Sequence, residues 1–286
     1  MPQIAFIGAG RLCTTLATAL QRLGCRVSAI ASRDPVRAQA LAGTLPGCRA
    51  TGVQEAAQAD LVFLTVPDDA IAPTADRLPW RGAGQWVVHC SGATEVSALH
   101  AAAQAGALTG GFHPLLSFAD PAGALERLAG STVAIEAPEP LAAHLHQLAA
   151  QLGLHPLALP PGARGLYHGG ASFAASFLLS MLDEAAATWR AFGIAEADAL
   201  RALLPMAHGI LDAAARQGLA GALSGPISRG DAQVVDRHLQ ALTPLGDAHA
   251  DFYRELSRRQ LDLARRSGRL SPEALDRLRQ TLDAGH

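Results

Sequence analysis

The segment QIAFIGAGRLCTTLATAL, Gln3 to Leu20, constrains the fold more than any other part of the chain. It reads as a buried strand, a tight turn at Gly8-Ala9-Gly10, and a helix that starts at once. Such a turn aims backbone N–H groups and the positive end of a helix at one point, an arrangement that suits a pyrophosphate. Gly8 makes the turn and Gly10 leaves room for phosphates, so Gly8, Ala9, Gly10, Arg11 and Leu12 are the expected contacts. The alternative is a purely structural turn. Cys13 stands where a third glycine would pack helix against sheet. A small, readily buried thiol can fill that place, so Cys13 is expected to pack and not to act as a nucleophile.

The pattern that follows supports a doubly wound α/β domain. RVSAIAS, ADLVFLTVP, GQWVVHCSG, ALTGGFHP, STVAIEAP and His155–Leu159 read as short apolar strands. Helical segments separate them, including Asp34–Gly43 with Asp34 as N-cap and Pro35 at the first helical position. Strands that are apolar throughout imply a mostly parallel sheet covered on both faces. From Arg164 onward no strand is evident. Arg164–Phe192 reads as one long helix of small and apolar residues, followed by helices over Ala195–Gln217, Asp231–Thr243, Asp247–Ser267 and Ser271–Ala284. A dinucleotide-type domain over residues 1–160 and an all-helical domain over 161–286 are therefore expected, the second serving substrate binding and dimerisation.

The end of the second strand selects the dinucleotide. An NAD site places an acidic residue there, to bind the ribose hydroxyls. Here the strand ends in Ser32-Arg33, with Arg37 one turn into the next helix, and Asp34 is accounted for as a cap. A hydroxyl and two guanidinium groups suit a 2′-phosphate, so NADP is expected; the alternative is that both arginines are solvated surface charges. Ligands lie beyond the carboxyl ends of parallel strands, which adds Val66, Pro67, His89 and Ser91 to the expected cofactor contacts. Pro67 as a strand stop and His89 as a core histidine remain open.

Two polar clusters are candidates for proton transfer. His113 precedes a proline at a strand end. His168, Ser172 and Ser176 lie four residues apart on one helix face, next to Tyr167. His168 and His113 are the expected catalytic groups, with Ser172 holding substrate; close helix packing with incidental polar groups is the alternative. In LSGPISRGD, a glycine-rich loop before a helix, Arg229 either binds an anionic substrate or pairs with Asp231, which is expected to cap the helix. His144, His146 and His286 read as solvated surface groups. No spacing of His, Cys and carboxylate residues argues for a metal.

Composition removes several classes of function. The net charge of −2 gives no basic excess for nucleic acid or a membrane surface. All 23 basic residues are arginine, so no lysine can form a Schiff base or act as an acid. The four scattered cysteines form no CxxC pair and suit a reduced, cytoplasmic setting. No leader is evident, and no run approaches ~18 purely apolar residues.

The order of the motifs, GAGRLC, SRD, TVPD, HCSG, FHPL, RGLYH and GPISRGD, resembles a family described as a Rossmann-like domain followed by a domain of unknown function, number 2520. More distantly the layout is similar to pyrroline-5-carboxylate reductases, ketopantoate reductases and 3-hydroxyisobutyrate-type dehydrogenases. The resemblance implies an NAD(P) cofactor in a Rossmann-type first domain, a helical second domain that often forms a homodimer, and a small-molecule substrate in the cleft between them. Two departures stand out. The hydroxyacid and ketopantoate enzymes use a catalytic lysine that this chain lacks, with His168 in a broadly similar place. An asparagine is usual where Ser176 stands. The expectation is an NADP-dependent oxidoreductase acting on a small C=O or C=N compound; the rival is a nucleotide-binding sensor or scaffold without turnover.

Overall fold

A computed structural model describes residues 2–284. His286, expected at the surface, lies outside the described residues. Strands and helices alternate from the start: β1 (Ile4–Ile7), α1 (Arg11–Arg22), β2 (Val27–Ala31), α2 (Pro35–Gly43), β3 (Arg49–Ala50), α3 (Val53–Ala56), β4 (Leu61–Leu64), α4 (Asp68–Ala75), β5 (Trp86–His89) and α5 (His100–Gln104). There follow β6 (Leu108–Leu115), α6 (Pro121–Glu126), β7 (Thr132–Glu136), α7 (Leu141–Gln151) and β8 (His155–Ala158). The sheet order is β3-β2-β1-β4-β5-β6-β7-β8. Every neighbouring pair is parallel except β6 and β7, which run antiparallel from Gly111↔Glu136 to Leu115↔Thr132.

The central strands β1 and β4 are apolar on both faces because both faces are covered, whereas β3 and β8 at the sheet edges are exposed. Side chains alternate across a strand. Ile4 and Phe6 of β1 join Leu61 and Phe63 of β4 in one core, with Leu16 and Leu20 of α1 and Leu145 and Leu148 of α7. Ala5 and Ile7 join Val62 and Leu64 in the other, with Ile71 of α4 and Leu99. In the first core the rings of Phe6 and Phe63 stack with centroids 5.1 Å apart, and Phe112 meets Phe63 edge-on at 6.0 Å.

The remaining elements are helical: α8 (Arg164–Ala174), α9 (Ser176–Arg190), α10 (Glu196–Ala222), α11 (Gly225–Arg229), α12 (Ala232–Leu242), α13 (Asp247–Ser267) and α14 (Pro272–Asp283). The described residues cluster into two compact units that divide between Phe173 and Ala174. Thus α8, expected in the second domain, groups with the first unit. The single helix expected over Arg164–Phe192 is two helices, because Ala175 leaves helical geometry at φ −114, ψ −88. The residues before that break include Gly169, Gly170 and Ser172, which hold a helix weakly. GPISR is a short helix rather than a loop, and Asp231 caps α12 through the Val234 N–H at 3.2 Å. In the second unit Ile227, Val235, Leu239, Ala250, Ala264, Leu278 and Leu282 form the core of α11 to α14.

Candidate functional site

The register sets the site. Ile7 pairs with Leu64 at the ends of β1 and β4, so the turn after β1 lies beside Thr65. The chain crosses over in opposite directions from these two strands, which opens a crevice at their carboxyl ends. Gly8 sits there with φ +112, and a Cβ on it would lie 2.6 Å from the Thr65 carbonyl carbon. Only glycine fits both demands. The Thr65 hydroxyl donates to the Gly8 carbonyl at 2.8 Å and ties the two strand ends together. Gly10, the N-cap of α1, has open space where a Cβ would point, and the first turn of α1 carries no acidic residue. Cys13 is fully buried in the core, and burial pushes its thiol up to about 12 despite the opposing hydrogen bond with Thr65.

A groove of about 790 Å³ runs along these strand ends. Gly8, Ala9, Gly10, Ser32, Arg33, Arg37, Val66 and Pro67 line it, as do Thr65, Thr74 and Arg77, which the motifs did not single out. Arg11 and Leu12 lie outside the lining. Asp34 is the cap of α2, accepting from the N–H groups of Val36 at 3.1 Å and Arg37 at 3.2 Å. Its second oxygen meets Arg37 Nε at 3.2 Å, and both side chains are largely exposed. The groove thus carries the side chains of three arginines, Arg33, Arg37 and Arg77, with Asp34 and Asp69 also in its lining.

A second cluster lies where β5 and β6 end and α8 begins. His113 Nδ1 is 2.9 Å from the Tyr167 hydroxyl, and the rings of His113 and His168 stand 6.2 Å apart. Gly92 makes the approach possible: a Cβ there would come within 2.6 Å of His168 and 2.8 Å of His113. His113 is held down to about 4, first by burial and then by His168 and Arg164, with Asp68 opposing. Burial raises the Tyr167 phenol. Both groups are therefore neutral near neutral pH, and His168 stands exposed beside them.

Behind the cluster Arg164 is fully buried. Its Nε donates to Glu136 at 2.6 Å and Nη1 to the Ser91 carbonyl at 2.8 Å, while Glu95 accepts from its backbone N–H at 3.3 Å. Gly111 leaves the space the guanidinium fills, since a Cβ there would sit 1.8 Å from Nη2. His89, an expected cofactor contact, is also fully buried and outside the groove. Its Nδ1 accepts the Ser91 N–H at 3.2 Å, and burial, Arg164 and His113 hold it down to about 3. Ser91 is likewise taken up by structure, its hydroxyl oxygen accepting the N–H groups of Ala93 at 3.2 Å and Thr94 at 2.9 Å.

Ser172 donates to the His168 carbonyl at 3.1 Å, one turn back on α8. Arg229 is exposed at the end of α11 in the second unit. His144, expected in solvent, is half-buried with its ring centroid 4.5 Å from that of Trp86. The groups that motif reading passed over are Thr65, Arg77, Gly92, Gly111 and Arg164. For Gly111 the signal was present: adjacent glycines inside a strand mark a close approach.

Solved structures share this fold. Protein TM1727 from Thermotoga maritima superposes with a TM-score of 0.78 at 24% identity, over 93% of this chain and 100% of that one. BF3122 from Bacteroides fragilis, provisionally named an NADP oxidoreductase, gives 0.69 at 25% identity, over 90% and 97%. A reductive aminase from Aspergillus terreus, in complex with NADPH and ethyl levulinate, gives 0.66 at 18% identity, over 100% of both chains. No curated protein matches the chain. Family models match it in the order that its motifs imply: a Rossmann-like domain over residues 2–114, then a domain of unknown function, DUF2520, over residues 131–260.

Proposed function

We propose that this protein is an NADP-dependent oxidoreductase acting on a small C=O or C=N compound. The observation that carries the reading is the groove at the β1–β4 crossover, lined both by the glycine turn and by Ser32, Arg33 and Arg37. The fold it shares with BF3122 and with the NADPH-bound reductive aminase supports the same reading. The residues present fit the cofactor: Gly10 leaves open space at the α1 N-terminus, and Asp34 is engaged as a cap rather than left for a ribose. Gly8, Ala9, Gly10 and the first amides of α1 take the pyrophosphate. Ser32, Arg33 and Arg37 take the 2′-phosphate, and Val66 and Pro67 flank a ribose. When bound, the nicotinamide supplies a hydride.

The histidine cluster handles the proton. We assign the Tyr167 hydroxyl as the donor to His113 Nδ1, which leaves the His113 proton on Nε2, on the side of Gly92. That N–H orients the substrate oxygen or nitrogen, and His168 supplies the proton that the reduced atom needs. Ser172 lies one turn from His168 on the same helix face and is the candidate for holding substrate. The exposed apolar side chains of α9 and α10, among them Leu179, Met206 and Leu211, support a homodimer through the helical unit.

Binding and turnover test these assignments separately. Arg33→Ala should weaken NADPH binding about tenfold or more and leave NADH binding unchanged. Equal affinities for the two nucleotides in the parent protein would remove the cofactor assignment. NADPH oxidation should be followed against a panel of keto acids and cyclic imines. On any substrate found, His168→Ala and His113→Ala should each lower kcat by ~10²-fold; intact turnover in both would overturn their roles. Tight NADPH binding with no turnover across the panel would favour the sensor reading.

A further inference from the structure

The second unit contains a cavity of about 460 Å³ for which the oxidoreductase reading has no use. It lies between α9, α12 and α13. Met181, Trp189 and Phe252 supply apolar wall, and the polar groups enter as two pairs. His249 Nδ1 contacts Glu184 Oε1, and His238 Nδ1 lies 2.8 Å from the Tyr253 hydroxyl. Met181 is 37% exposed and Phe252 36%, so the cavity opens to solvent along an apolar lip.

We propose that this cavity binds a small organic ammonium ion carrying an apolar tail. Among the described residues Glu184 is the one carboxylate in the lining, and no guanidinium lines it. Oε2 of Glu184 makes no hydrogen bond among the described residues, which leaves an acceptor for an N–H donor. Trp189, Phe252 and Tyr253 put three aromatic rings in the lining, and the quadrupole of an aromatic ring attracts a cation at its face. The volume falls within the range of roughly 300–1,000 Å³ that small-molecule sites occupy. A neutral apolar compound would use the rings and leave Glu184 Oε2 without a partner; an anion would meet the carboxylate.

The test needs no nucleotide and no turnover, so it succeeds or fails apart from the oxidoreductase reading. The probes are 4-phenylbutylamine, 4-phenylbutan-1-ol and 4-phenylbutyrate, titrated into the full chain at pH 7 by calorimetry. The ammonium ion should bind about tenfold tighter than the alcohol, and the carboxylate weakest. Glu184→Gln, nearly isosteric, should bring the amine down to the affinity of the alcohol and leave the alcohol unchanged. Trp189→Ala should weaken both. If Glu184→Gln loses its melting transition, Phe252→Leu at the lip carries the test and should weaken the amine more than the alcohol. Absence of amine binding, equal affinities for amine and alcohol, or amine binding that survives both Glu184→Gln and Trp189→Ala would overturn the proposal.

Discussion

At the scale of single residues, space and charge separate glycines that look alike in the sequence. A methyl group added at Gly10 would meet nothing within 4 Å, and the backbone there has an ordinary φ of −86. Gly10→Ala should therefore leave the melting temperature unchanged while weakening NADPH, because the added methyl would occupy the approach to the phosphates. Gly111→Ala should do the reverse. Its Cβ would meet a guanidinium that Glu136 and Ser91 already hold in place. Overpacking of this kind costs about 1–3 kcal/mol, read as a fall of several degrees in the melting temperature. The buried imidazoles give the protein an acid limb. His113 titrates at about 4 in the fold, against ~6.5 for a free imidazole. Between those values the unfolded chain binds more protons, so stability is complete above ~6.5 and is lost as the pH falls through 4. Urea unfolding at pH 7 and pH 5 should show the parent losing on the order of 1–2 kcal/mol more than His113→Gln. His89, held at about 3, extends the same loss to lower pH in both proteins.

At the scale of elements, local signals carry some boundaries and miss others. Asp34-Pro35 marks the start of α2, and the cap is present as the spacing predicts. Asp34→Ala should cost about 1 kcal/mol in denaturant unfolding and leave NADPH affinity within twofold or so. A large loss of nucleotide affinity would instead make Asp34 a ribose ligand. Seven strands were legible, the central ones because a parallel strand covered on both faces is apolar at every position; β3, two exposed residues, was not. The mostly parallel direction of the sheet was legible too, but not its one reversed pair. The antiparallel pairing of β6 and β7 depends on how the intervening chain returns, and no residue pattern within either strand encodes it. The position of the break at Ala175 was also hidden: Gly169, Gly170 and Ser172 weaken the helix before it, but alanine is the strongest helix former and no proline stands nearby.

At the scale of the whole molecule, apolar surface is left over. Met206 is 64% exposed and Ile210 43%, one turn apart on α10, and Leu219 farther along is 66% exposed. Light scattering should give about twice the chain mass, and Met206→Glu combined with Ile210→Glu should yield a monomer that still melts cooperatively. A parent protein that is already monomeric would remove the homodimer from the functional reading. By itself the sequence determined the α/β class, the crossover turn at Gly8–Gly10, the cap at Asp34 and the cluster of arginines near the end of β2. Each of these is written in residues a few positions apart, through backbone geometry, hydrogen bonding or periodicity. Only the tertiary structure decided that His113, Tyr167, His168 and Gly92 meet, that His89 is buried and not in the groove, and that Arg164 fills the space beside Gly111. Those contacts join residues far apart in the chain, and their energies come from burial and close packing, which no local pattern records.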